Sequence, residues 1–80
     1  MNQVSTQTLL LSIHALAKDR QAVGKRLDSG DFGDDELDEL NDQTDQMTKA
    51  IGELADLYEP QREGQEKRYP SVETILALYD

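Results

Sequence analysis

The side chains of this sequence with the most chemistry to offer are carboxylates. Asp31, Asp34, Asp35, Glu36, Asp38, Glu39, Asp42 and Asp45 follow one another with no basic residue among them. Such a run can hold a hard cation, or it can meet a positively charged surface. On a helix, carboxylates at positions 34, 38, 42 and 45 recur at about one turn each, ~5.4 Å apart. That spacing permits imitation of nucleic acid, with Asp34, Asp38, Asp42 and Asp45 standing in for phosphates in a basic binding site. The plain alternative is a solvated helix face whose first-turn acids complement the helix dipole. Other catalytic material is scarce. His14 is the single histidine, and cysteine is absent, which removes thiolate nucleophiles and thiolate metal sites. No grouping of hydroxyl, histidine and carboxylate is visible, and no glycine-rich phosphate loop.

Cation binding can be weighed against two ligand patterns. Asp28 to Glu39 is a twelve-residue window with Gly33 sixth and Glu39 twelfth, as an EF-hand calcium loop requires. Its third and fifth positions are Gly30 and Phe32, which offer no side-chain oxygen, so no specific calcium site is expected. The second pattern is Glu36-Leu37-Asp38-Glu39, then thirteen residues, then Glu53-Leu54-Ala55-Asp56. Glu36, Glu39, Glu53 and Asp56 resemble the ExxE…ExxD signature of the MazG-like all-α NTP pyrophosphatases. The resemblance implies a four-carboxylate cage for magnesium acting on the phosphates of a nucleotide. On one straight helix, however, Glu39 and Glu53 stand ~21 Å apart. Sharing a metal then needs a break near Asn41-Asp42 or a second chain. The leading expectation is no cofactor, with magnesium as the alternative.

Helices must position these groups. From about residue 5 to 28, Leu9, Ile13, Leu16, Val23 and Leu27 step by four and three, with Arg20 where the stripe expects an apolar residue. From about 34 to 59, Leu37, Leu40, Thr44, Met47, Ile51, Leu54 and Tyr58 form a heptad seam interrupted by Thr44. Asp34 or Asp35 is expected to cap this helix, and Pro60 to stop it. Residues 29–33 read as a loop and 60–70 as a linker. A short helix follows over 71–79, with Ser71 as its cap. Together these predict a single all-α domain over residues 1–80: an antiparallel helical hairpin with a short C-terminal helix, completed to a four-helix bundle by dimerisation. Folding about residue 32 sets Leu27 against Leu37, Leu9 against Leu54, and Arg20 against Thr44 as a polar seam layer that fixes register.

Charge then limits the partners. The chain has 17 acidic and 8 basic residues, a net charge of −9, distributed as +3 over residues 1–27, −11 over 28–59 and −1 over 60–80. Direct binding to nucleic acid or an anionic membrane is disfavoured. The longest apolar stretch, Leu9 to Ala17, falls short of the ~20 residues a membrane helix needs. Residues 1–8 carry no basic side chain, unlike a secretory leader, so the expected compartment is the cytoplasm. So short a chain buries a small core. Leu10, Leu11 and Leu57 are surplus to the seams, and the last helix offers Val72, Leu76 and Tyr79 for closure in cis or for docking. The leading expectation is a non-enzymatic, homodimeric protein-interaction module (adaptor, co-chaperone or inhibitor). It would cover a basic or amphipathic partner surface with Asp34, Asp35, Asp38, Asp42, Asp45 and those apolar residues. The alternatives are the metal-dependent nucleotide pyrophosphatase and the nucleic-acid mimic.

Overall fold

A computed structural model describes residues 4–79, which form α1 (Thr6–Ser29), α2 (Asp34–Gln61) and α3 (Val72–Ala77), with no strand among the described residues. The Ser5 hydroxyl caps α1 by accepting from the Thr8 amide at 3.1 Å, the usual work of a residue at this place. Gly30 ends it in the left-handed region (φ 67°), with its amide donating to the Leu27 carbonyl. That backbone geometry favours glycine because it has no Cβ.

The start and stop of α2 differ from expectation. Gly33 occupies the cap position and makes no side-chain hydrogen bond, while Asp34, Asp35 and Glu36 lie inside the first turn. There they act through the helix dipole rather than as caps. Pro60 does not stop the helix, which continues to Gln61. A proline so close to the end removes one backbone donor where few bonds remain to be lost, and the Arg62 amide closes the turn on the Tyr58 carbonyl.

The segment expected to be a linker is a compact turn. The amides of Gln65, Arg68 and Tyr69 donate to the carbonyls of Arg62, Gln65 and Gln65. Arg62 Nε donates to the Tyr69 carbonyl at 3.0 Å. The Glu66 carboxyl accepts from backbone amides, its own and that of Gly64, and this holds it below the usual carboxylate range. The chain is thereby turned back, and α3 begins with Ser71 accepting from the Thr74 amide at 3.2 Å. Glu59 of α2 accepts the Val72 amide at 2.9 Å, tying α3 to the hairpin.

α1 and α2 pack as an antiparallel pair, and α3 folds in cis against α1. Leu9, Ile13, Tyr58, Tyr69 and Ile75 form the buried cluster, with Leu10, Leu54, Val72 and Tyr79 packed around it. The core therefore sits at the end of the hairpin away from its loop. Towards the loop the layer is two helices thick only. Ala17, Leu40 and Ile51 are buried there, but Leu16, Val23, Leu27, Leu37 and Met47 are half-buried. No described helix is long and apolar enough to cross a membrane.

Candidate functional site

Asp34, Asp35, Asp38, Asp42 and Asp45 are all exposed along α2. At 100° per residue, positions 34, 38, 42 and 45 fall within about 80° of one another, on the side of the helix opposite its apolar seam. Between the mildly basic α1 and the acidic α2, one ion pair forms among the described residues. Arg26 meets Glu36 at 2.7 Å, and the hydrogen bond and charge of Glu36 raise the Arg26 pKa further. The other salt bridge among the described residues, Arg62 with Glu59, lies at the far end. No aspartate of this edge is in a salt bridge among the described residues. Lys49 is the one basic residue within α2.

Glu36, Glu39, Glu53 and Asp56 lie on one unbroken helix. The break near Asn41-Asp42 that would bring the two halves together does not occur. No group of three or more acidic or histidine side chains able to hold a metal exists among the described residues. Glu36 is already engaged by Arg26.

Arg20 and Thr44, expected to face each other as a polar seam layer, bond elsewhere. Arg20 Nη1 donates to Thr48 Oγ1 at 3.2 Å, whereas the Thr44 hydroxyl donates to the Leu40 carbonyl of its own helix at 2.9 Å. Thr44 satisfies itself locally, as threonines inside helices do, and the long arginine reaches the next available hydroxyl. His14 also has a partner: its Nδ1 shares a hydrogen bond with Tyr79 Oη at 2.8 Å, ring edge to face. The pair fastens α3 to α1.

The apolar candidates divide into two groups. Leu10, Val72 and Tyr79 pack on the buried cluster and Leu76 is half-buried, so α3 spends most of its apolar face in cis. Leu11 and Leu57 remain 59% and 55% exposed. The pattern of heptads missed a third feature, a shallow groove of about 560 Å³ between the helices in the loop-side half. Leu16, Val23, Met47 and Ala50 supply its apolar lining, beside Ala22, and Asp19, Gln43 and Gln46 supply its polar part. The signal was present as small and amide side chains one step off each heptad position. Comparison with protein-family models, curated proteins and solved structures finds no match to this chain.

Proposed function

We propose that this chain is a small acidic cytoplasmic protein-interaction module, working as a homodimeric four-helix bundle that covers a basic or amphipathic surface of a partner protein. The observation that carries this reading is the aspartate edge of α2. Its five aspartates are exposed, and none is in a salt bridge among the described residues. Concentrating like charge along one helix costs stability through self-repulsion, a cost that a basic partner relieves. Such a surface steers association and selects partners more than it supplies raw affinity. As an adaptor, co-chaperone or inhibitor the module would act by occupancy, with no chemical step of its own.

Changing Asp34, Asp38, Asp42 and Asp45 together to asparagine should weaken binding of a partner captured by cross-linking from the source cell by at least about tenfold. The helix content by circular dichroism should stay unchanged. A variant that binds as tightly as the wild type would overturn the role of the acidic edge. The pyrophosphatase alternative has its own assay. With a nucleotide panel and magnesium or manganese, no pyrophosphate release is expected; release abolished by Glu53→Gln would replace the interaction reading with an enzyme.

A further inference from the structure

The hairpin is covered on one face only. The turn after α2 and α3 lie across the side that carries Leu10, His14, Glu59 and Arg62. The groove lies between the two long helices on the other side. Its apolar lining is Leu16 and Val23 from α1 with Met47 and Ala50 from α2. Asp19 is the one charged residue in that lining, and none is basic.

The charges beside the groove follow from helical spacing. Glu39 and Glu53 stand seven residues either side of Gln46, nearly two turns, which sets all three on one line along α2. Asp19 occupies the matching line on α1, with Arg26 seven residues further on. Asp19, Glu39 and Glu53 are exposed, and none is in a salt bridge among the described residues. Arg26, the cation on these lines, is held by Glu36 at 2.7 Å, and Arg20 is turned to Thr48. Lys18, Lys25 and Lys49 sit about 100° or more round their helices from the middle of the lining. An apolar floor is thus flanked by carboxylates on both sides.

We propose that this groove receives an amphipathic helix of a partner protein, whose apolar stripe is flanked on both sides by lysine or arginine. The groove between two packed helices ~10 Å apart takes one further helix along its length, apolar face down. Charge selects which helix. Glu39 and Glu53 are fourteen residues apart, ~21 Å along α2. Cations on that flank of the partner therefore recur about two heptads apart, and a cation on the other flank meets Asp19. The occupant needs about fifteen helical residues to span both ends. A second copy laid face on face would instead bring the same three carboxylates against their own kind. The inference gives the partner of the reading above its form. It rests on the partner-covering part of that reading, not on its dimer or its aspartate edge.

The probe is a synthetic helix of about eighteen residues, five turns, with a leucine stripe flanked by lysines, titrated into the full chain labelled with nitrogen-15. Saturable one-to-one binding is expected, with amide shifts concentrated at Leu16, Val23, Met47 and Ala50. An equally charged peptide with glutamine for leucine should bind at least about tenfold more weakly. Asp19→Asn, Glu39→Gln, Glu53→Gln should weaken binding at least about tenfold. Asp34→Asn, Asp38→Asn, Asp45→Asn removes as many charges elsewhere and should weaken it at most about threefold. Equal weakening by the two triple variants, or more by the second, overturns the groove and leaves the aspartate edge as the partner surface. Shifts centred on Leu9, Ile13 and Ile75 mean that the peptide displaces α3, which also sinks the proposal. No binding of the leucine-striped peptide removes the helical occupant, while the edge keeps its own test on the cross-linked partner. If the groove amides shift with protein concentration alone, a second copy fills the groove and the partner helix is ruled out.

Discussion

Tyr58→Ala is expected to leave the chain largely unfolded at room temperature, with loss of helical circular dichroism and of a cooperative thermal transition. Tyr58 is completely buried, at the centre of the cluster formed with Leu9, Ile13, Tyr69 and Ile75. It is also the one residue there that joins all parts of the molecule. Its ring packs between α1 and α3, and its hydroxyl donates to the Pro70 carbonyl at 2.7 Å. Truncating a buried aromatic costs about 3–5 kcal/mol. A chain of 80 residues has roughly 4–12 kcal/mol in all, so the loss consumes much or all of it. Tyr58→Phe separates ring from hydroxyl: it keeps the packing and leaves the Pro70 carbonyl without its donor, costing about 1–3 kcal/mol.

The two variants also differ in pH dependence. Burial pushes the Tyr58 phenol above its ordinary pKa, so the folded state resists forming the tyrosinate. The corresponding stability is fully present below about pH 10, the unfolded value, and is lost as pH rises towards the folded one. Wild-type stability should therefore fall more steeply above pH ~10 than that of Tyr58→Phe. A Tyr58→Ala melting temperature within a few degrees of wild type would show that the cluster at this end does not hold the fold.

The hairpin was legible because its information is local and periodic. Leu9, Ile13 and Leu16 on one helix and Leu40, Met47, Ile51, Leu54 and Tyr58 on the other recur at spacings that only a helix brings to one side. The acidic edge was legible for the same reason: positions 34, 38, 42 and 45 share a face whatever the rest of the chain does. What escaped depends on where segments meet. The reach of α2 past Pro60 turns on a single backbone bond, that of Arg62 to Tyr58. The turn over residues 62–68 looks like a charged linker until Tyr69 is seen buried and Arg62 bonded to its carbonyl. Arg20 was identifiable as the odd member of its stripe, but choosing Thr48 over Thr44 required knowing that Thr44 bonds its own helix. The groove escaped because Ala22, Gln46 and Ala50 carry no pattern of their own. They become an uncovered face only once α3 is placed on the other side of the hairpin.

Ile75→Asp should detach α3 while the two long helices keep most of their helicity. Ile75 is fully buried against Leu9, Ile13, Tyr58 and Tyr69. An ionised carboxylate at that position has no compensating partner, and burying one costs several kcal/mol. α3 has six residues, too few to stand as a helix without packing, so its release is an available escape. The penalty is then capped at the free energy with which α3 docks, about 2–5 kcal/mol on the scale of losing one large buried aliphatic side chain. Hydrogen exchange should show the amides of Ile75, Leu78 and Tyr79 unprotected, with those of α1 and α2 faster but still protected. Release would bare Leu9, Leu10, Ile13 and Tyr58, an apolar patch that binds a hydrophobic dye and draws copies together. Leu78→Asp, at the residue that caps α3, is the control. Leu78 is 67% exposed and its change should leave melting temperature and exchange nearly as they were. Equal responses to Ile75→Asp and Leu78→Asp would mean that α3 does not close the core in cis. Val72, Leu76 and Tyr79 would then be free to dock on a partner. A large difference between the two variants assigns that apolar face to the fold, leaving the aspartate edge and the open groove face for contact with other chains.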